Sequence, residues 1–452
     1  MPKNILICGE DLESGGVETA IVNDAIALKK KGNNVYILAK KGVYTKKVES
    51  VGIENIEFEF EFINGFDFNG AKKVVNIIKE KEIEEVHIHK FIDIPICVPA
   101  CIIAGVPYVA HIHEGLPTSY DWIMNSYDMY KSMLEIYLKN AYRIIAITEN
   151  VKKYNMQLFN IPEEKYLVIH NSINFELFDN KTVTVTPIKK FLLISRLSKE
   201  KEKSIQNGID LFTEYSKHVA DCKMIIAGRG NVEKELKEYV DKRGYTNIEF
   251  IGQTENIPEE IANADIVLGM GRCMIEAMAS KRLCCIIGYE KIKPILKNEI
   301  LKLAEFENFS GRGLPDKTEK EIVQELFSLT HKDIEKIIED NYNFARKEFD
   351  VEKNAYSIEE NVIIEYNVEE QLFEMLDLCR QKMTEERKKS EEIWQGKLWL
   401  EEHYNNAIKE LETLKQLNKE NNKEHNSNFI RKIAQKIKIR KGVKWWKKKT
   451  KV

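Results

Sequence analysis

Short, almost unbroken apolar runs recur along the first two-thirds of this chain, each followed by a turn and a longer amphipathic stretch. Asn4 to Gly9, Val35 to Ala39, Val86 to His89, Tyr108 to Ile112 and Arg143 to Ile147 form one series. Phe191 to Ile194, Lys223 to Ala227, Ile248 to Ile251, Ile266 to Leu268 and Leu283 to Ile287 form a second. Runs this short and this uniformly apolar predict strands buried on both faces. Their alternation with helical segments predicts an α/β chain of parallel, doubly wound sheets. The Thr-rich stretch around Pro187 reads as a linker, 179–189, between a first domain at 1–178 and a second at 190–330. Ligands bind such sheets beyond the carboxyl ends of the strands, and clefts between domains are favoured places for them.

With 452 residues, 43% of them hydrophobic, the chain is long enough for two such cores and a further segment. Its eight cysteines fall mostly inside apolar runs with no Cys-x-x-Cys pair. They are expected to be buried free thiols in a reducing cytosol, without zinc or disulfides. Met1-Pro-Lys-Asn4 leads straight into a strand, so no signal peptide is expected. Ile94 to Ala110 is uncharged but broken by Pro95, Pro99, Gly105 and Pro107. It reads as a buried helix and a strand rather than a membrane span.

Candidate functional residues gather at strand ends. Asp265 to Gly288 reads as strand, turn, helix, strand, with Gly269-Met270-Gly271-Arg272 as the turn and Cys273 to Lys281 as the helix. A glycine turn entering a helix leaves N–H groups available to phosphate oxygens beside the positive end of the helix dipole. Arg272 would add a fixed cation, and Glu276, one turn on, would accept from a sugar hydroxyl. The plainer alternative is a bend that needs glycine for shape alone. Gly15-Gly16 after the first strand and Gly228-Arg229-Gly230 in the second series occupy comparable places. His111 and His113 share a strand face. They admit three readings, a metal site with Glu114, hydrogen-bonded core residues, or a substrate-facing pair, and the last is preferred. His87 and His89 repeat the spacing in mid-sheet and read as structural.

Taken in order, Gly15-Gly16-Val17-Glu18, Pro107 to His113, Val168 to Asn174 with Phe178, Ser195 to Lys201, Ile225 to Gly230 and Glu276-Ala-Met-Ala279 resemble a family 4 glycosyltransferase of the GT-B fold over residues 1 to about 310. The resemblance implies two Rossmann-like domains facing each other, followed by C-terminal helices. It also implies retention at the anomeric carbon and a nucleotide-sugar donor such as a UDP- or GDP-sugar, with no cofactor and no metal. Gly15 and Gly16 would let backbone approach the donor phosphate. His113 would lie near the donor sugar and its leaving phosphate. Arg196 and Lys201 would bind the diphosphate and stabilise charge developing on it, against the alternative of a solvated basic stretch with Lys199 and Lys203. Glu276 would accept from the ribose. The family's further glutamate, eight positions before Glu276, falls here on Leu268 inside a strand. The donor sugar is therefore not inherited from the resemblance, and a non-catalytic binding or scaffolding member is the alternative.

Residues 331–368 read as closing helices that pack back across the domain interface. The segment 369–424 reads as a charged helix with Leu372, Leu376, Cys379 and Met383 in a 4-3-4 seam, resumed by Ile408, Leu411 and Leu414. It forms either a coiled coil, with homo-oligomers through 369–417, or a single helix laid on the body. From His425 to Val452 there are eleven Lys or Arg and no acid, against a net charge of −3 for the chain. Phe429, Ile433 and Ile437 recur at helical spacing and Trp445-Trp446 sit among lysines, the composition of an anchor for an anionic membrane surface through 429–452. Nucleic-acid binding competes for this tail and is not expected beside a sugar transferase. The whole implies an enzyme at the cytoplasmic face of a cell membrane, acting on a cell-envelope glycan, lipid-linked or glycoconjugate acceptor.

Overall fold

The computed structural model describes residues 2–358 except 14, 61–67, 92, 114–126, 179–186 and 255, followed by 366, 381, 384–385 and most of 387–413. The chain divides into two units, Met1–Gln371 and Leu372–Val452.

Within the first unit, β1 (Asn4–Asp11), β2 (Asn34–Lys40), β3 (Glu54–Glu57), β4 (Glu85–Ile88), β5 (Tyr108–Ile112), β6 (Arg143–Ala146) and β7 (Tyr166–Val168) make a seven-stranded sheet in the order β3-β2-β1-β4-β5-β6-β7. Each of its neighbours pairs in parallel. Ile5 to Cys8 at its centre are fully buried, as a strand covered on both faces requires. The helix Gly16–Lys30 lays Ile21, Ala25 and Leu28 against it. The uncharged stretch forms the helix Ile94–Ala104, with Pro95 in its first turn and Gly105 ending it at φ 69°, then enters β5.

A second sheet holds β8 (Lys190–Ile194), β9 (Lys223–Ala227), β10 (Ile248–Gly252), β11 (Ile266–Gly269), β12 (Leu283–Ile287) and β13 (Ile292–Ile295), in the order β10-β9-β8-β11-β12-β13. Its strands are parallel except β13, which pairs antiparallel with β12 at the edge. The helices Glu319–Ser328 and His331–Glu348 each open on a capping box, Thr318 with Glu321 and Thr330 with Asp333. The chain then returns to the first sheet. Ile173 exchanges backbone hydrogen bonds with Phe349 and Val351 at 2.9 and 3.1 Å, and Val351 and Ala355 join the apolar cluster around Ile5 and Ile7.

In the second unit the described stretch 387–403 is helical and leaves Ile393, Trp394, Leu398 and Trp399 exposed. The seam residues Leu372, Leu376, Cys379, Met383, Leu411 and Leu414 and the basic tail 429–452 lie outside the described residues. Among the described residues no helix is long and apolar enough to cross a membrane, and seven cysteines are buried and unbridged.

Candidate active site at the two switch points

Strand order reverses between β1 and β4 in one sheet and between β8 and β11 in the other. Chains leaving neighbouring strands at such a point turn to opposite faces and leave a crevice between them. The loops that follow these four strands carry most of the residues singled out above.

In the second sheet the loops after β8 and β9 are zipped together. Ser195 donates to Ala227 at 3.1 Å, Leu197 to Arg229 at 3.0 Å and Val232 to Leu197 at 3.1 Å. A side chain on Gly228 would lie 1.8 Å from the Ser195 carbonyl oxygen, and one on Gly230 would lie 2.1 Å from that of Leu197. These glycines therefore let two backbones touch, which fixes the loop bearing Arg196. Arg196 is exposed and Lys201 half-buried, and neither side chain has a hydrogen-bonding or ionic partner among the described residues. Burial holds the Lys201 ammonium below its ordinary pKa, with Arg196 acting the same way and Cys273 opposing it.

After β11, Gly269 packs against Cys273 and the Ile194 carbonyl. Gly271, at φ 70°, caps the helix Arg272–Ala279, and a Cβ there would meet little; it is glycine for its backbone alone. Sequence reasoning assigns Arg272 and Glu276 separate tasks, but the structure pairs them. Arg272 Nε donates to Glu276 Oε1 at 2.8 Å, because residues four apart share a helix face. Burial raises the Glu276 pKa and Arg272 opposes the rise. The same guanidinium reaches across to the first domain, donating from Nη1 to the Ser172 carbonyl at 3.3 Å. Asn23 donates to that carbonyl from the helix Gly16–Lys30 at 3.0 Å. One oxygen thus receives donors from both domains. Asp24 lies beside this clasp, its carboxyl pushed up to about 7 by burial, with His87, Arg272 and Lys31 pulling it down.

In the first sheet Lys90, just after β4, bridges Glu10 at 2.9 Å and Glu18 at 2.8 Å. Burial acts against its charge, but the two carboxylates outweigh it and hold the ammonium above its ordinary pKa. A Cβ on Gly15 would meet the Glu18 carboxylate, whereas one on Gly16 would meet nothing within 4 Å. Of this pair, Gly16 is the open position. Asp93, which follows the same strand, is fully buried, and neither of its carboxyl oxygens has a partner among the described residues. Burial pushes its carboxyl well above the usual range.

The four histidines form one stack. β4 and β5 pair with His87 opposite Val109, which sets His87, His89, His111 and His113 on a single face. His87 bonds Glu85 at 2.7 Å and His111 at 2.8 Å, and His89 bonds His113 at 3.2 Å. The rings of His89 and His111 lie 4.0 Å apart, parallel within 10°. Burial, with neighbouring imidazoles adding to it, holds His89 and His111 well below their ordinary pKa. Burial also lowers His113 to about 4, with Asn171 opposing. Ring nitrogens of His87, His89 and His111 come within 4.8 Å of one another. An ion in the plane of one of two parallel rings is out of the plane of the other, and metal bonds use in-plane lone pairs. As arranged, these three do not converge on a metal. A second cluster, His170, Glu305 and Glu348, joins the two domains through a histidine–carboxylate contact. His170 donates to the Ile147 carbonyl at 2.7 Å and meets Glu305 at 2.8 Å, while Glu348 meets Lys347 at 2.6 Å.

The structure brings His113 and the start of the helix Arg272–Ala279 to one short segment. Asn171 neighbours His113, and the adjoining Ser172 receives Arg272. Glu114 lies outside the described residues. Sequence reasoning places Glu18 and Ser172 within its motifs without giving either a task, and misses Lys90 and Asp93. The charge of Lys90 just beyond a strand end was the signal available for the latter two, and the tasks of Glu18 and Ser172 depend on contacts between distant parts of the chain.

Comparison with known proteins follows the same division. A model of Glycosyltransferase Family 4 matches residues 14–177, and one of Glycosyl transferases group 1 matches residues 174–303. A glycosyltransferase from Rickettsia africae is 17% identical with a TM-score of 0.59, over 78% of this chain and 96% of its own. Anabaena Alr3699/HepE in complex with UDP-glucose is 17% identical with a TM-score of 0.57, over 78% and 97%. Sucrose-phosphate synthase from Thermosynechococcus elongatus is 12% identical with a TM-score of 0.56, over 84% and 99%. No curated protein matches by sequence.

Proposed function

Because the chain belongs to the glycosyltransferases, with a family 4 domain and a group 1 domain on the two sheets of a GT-B fold, we propose that it moves a sugar from a nucleotide-diphosphate donor, such as a UDP- or GDP-sugar, to a cell-envelope glycan, lipid-linked or glycoconjugate acceptor with retention. The observation that carries this reading is the pair Arg196 and Lys201. Two cations without partners among the described residues stand at the switch point of the second sheet, on a loop fixed by Gly228 and Gly230. Partial burial of Lys201 keeps water from screening it fully, which strengthens its attraction for a diphosphate. As the sugar–phosphate bond breaks, negative charge grows on the leaving diphosphate. Cations already in place stabilise that charge without reorganising, and they would do so without a metal ion. His113 would contact the donor, Gly16 offers open backbone for the donor phosphate, and the Arg272–Glu276 pair would meet the ribose and phosphates. The HepE complex supports a uridine donor by analogy of fold alone.

The test is transfer or donor hydrolysis across a nucleotide-sugar panel in EDTA, for wild type and Arg196→Ala. Loss of about 10²–10³-fold in kcat is expected from removing such a group; full activity in the variant would remove Arg196 from this role. The buried Leu268 at the position of the family's glutamate favours a second reading, a member that binds nucleotide sugar without turning it over. Thermal shift by the panel with no turnover would select it.

The sequence of 429–452 supports peripheral attachment at the inner face of the membrane, and the apolar spacing over 369–417 supports self-association. Pelleting with anionic liposomes should depend on residues 429–452, and equal pelleting of a chain lacking them would remove the membrane role. Sedimentation with and without 369–417 tests the second point.

A further inference from the structure

Reading His113 as a donor contact leaves open which ring nitrogen carries its proton, and the atoms behind it decide this. His113 Nε2 lies 3.2 Å from His89 Nδ1, while His89 Nε2 is buried and has no partner among the described residues. Two neutral arrangements satisfy the shared bond. In one, His89 donates Nδ1–H, its Nε2 is a bare lone pair, and His113 is protonated on Nδ1. In the other, His113 donates Nε2–H, and His89 must then carry its proton on Nε2, a buried N–H with no acceptor. Each arrangement thus places one outward N–H, on His113 Nδ1 in the first and on His89 Nε2 in the second. The Asn171 side chain stands by His113 and favours a proton there. His89 Nε2 has no partner among the described residues, and leaving a buried N–H unpaired is costly. The first arrangement is favoured.

The deeper half of the stack follows the same logic. An ionised carboxylate only accepts, so Glu85 takes Nε2–H of His87. His87 Nδ1 then accepts Nε2–H of His111 at 2.8 Å. Glu85 is itself held by the backbone N–H of Ile358, which donates to the same Oε1 at 2.9 Å, and by the Ser357 hydroxyl, which donates to Oε2 at 3.1 Å. The His111 ring, anchored in this way, lies flat on His89 and opposes the ring flip that would put Cδ2 in the place of His89 Nδ1.

We propose that His89 is a positioning residue for the glycosyl transfer: it fixes the ring plane and tautomer of His113, so that His113 offers Nδ1–H as a hydrogen-bond donor to an oxygen of the nucleotide-sugar. His113 Nδ1 is the other buried nitrogen of the stack, with only the neighbouring Asn171 side chain beside it and no full hydrogen bond among the described residues, and a substrate oxygen would satisfy it. The burial that keeps His113 neutral makes the tautomer decisive, because a charged ring would donate from both nitrogens. This proposal rests on glycosyl transfer as the function, and the experiment separates the two.

Long-range proton–nitrogen correlation spectra of full-length protein labelled with ¹⁵N-histidine report tautomers directly, with His113 assigned by the signal lost in His113→Asn. The wild type without substrate should show His113 as Nδ1–H. His89→Asn, whose amide nitrogen can stand near the place of Nδ1, should retain that pattern and turn over within about threefold of wild type. His89→Phe keeps a ring in the stack without the donor, and His89→Gln moves the amide outward. Both should lose the single tautomer and about tenfold in kcat, the scale of one hydrogen bond, with a smaller change in donor KM. An Nε2–H pattern in wild type, or an unchanged His113 signal in both His89→Phe and His89→Gln, would overturn the proposal whatever the activity. A correct tautomer in a protein that transfers no sugar would overturn the functional reading and leave the tautomer assignment standing.

Discussion

Replacing Gly228 by alanine should disable the site through the backbone, without touching a charged group. The new Cβ would stand 1.8 Å from the Ser195 oxygen, where 3.0 Å is the closest that real Cβ atoms approach. One of the two chains must therefore move by about 1.2 Å. Neither moves freely, because Ser195 donates to Ala227, Leu197 to Arg229 and Gly228 to Gly252 at 2.8 to 3.1 Å. Gly228 also sits at φ +147°, where an L side chain adds strain. Overpacking and strain together should cost about 2–4 kcal/mol. A displacement of ~1 Å in the loop carrying Arg196 should lower kcat by about 10²-fold. Urea unfolding gives the first quantity, and nucleoside-diphosphate release at saturating donor, at a temperature where the variant stays folded, gives the second. Gly244→Ala is the control. It shares a positive φ, +69°, but a Cβ there meets nothing within 4 Å, so it should lose about 1 kcal/mol and no activity. A folded Gly228→Ala with wild-type kcat would refute the claim that these glycines position Arg196.

Three further outcomes are expected. Gly16→Ala meets no neighbour and should leave the melting temperature unchanged or higher, yet raise donor KM if a phosphate approaches that backbone; an unaltered KM would remove Gly16 from the donor site. Asp24 has its folded pKa raised from 3.8 to about 7, so it contributes stability that is complete below 3.8 and is lost as pH rises through about 7. Asp24→Asn should accordingly gain about 1–2 kcal/mol more over wild type at pH 8 than at pH 5, after allowing for solvent screening, and equal gains at both pH values in urea unfolding would contradict this. Leu268→Glu, which restores the carboxylate usual in the family, should destabilise by several kcal/mol (~3 or more) rather than activate, because Leu268 is fully buried in β11; a variant with an unchanged urea midpoint would refute that burial.

The layout of the two sheets was legible because most strands buried on both faces are short, near-continuous apolar runs set between turn signals. β3 escaped detection because an edge strand of sequence Glu-Asn-Ile-Glu, with both ends exposed, carries no such signature. The antiparallel β13 escaped because Pro294 and Lys293 interrupt its apolar run. At the site, the sequence located the loops and their charges but not the partners. The 4-residue interval from Arg272 to Glu276 could have announced their pairing, whereas the reach of Arg272 to Ser172 spans a hundred residues and leaves no local trace. A glycine looks the same whether it faces a phosphate or another backbone, so Gly228 and Gly230 could not be told apart from Gly16. The histidine doublets gave the face of each strand, and only the register of β4 on β5 turned two doublets into one stack.

The shared acceptor at Ser172 has a bearing on how this molecule can change over generations. A contact between two side chains can be erased by one codon. A peptide carbonyl is present whatever residue carries it, so substitution at position 172 leaves the meeting point of Asn23 and Arg272 in being. Erasure must come from the donor side, and a single change there removes one domain's hold while the other persists. The junction is buffered against mutation at its centre, so the two halves can diverge in substrate preference while the seam that registers them endures.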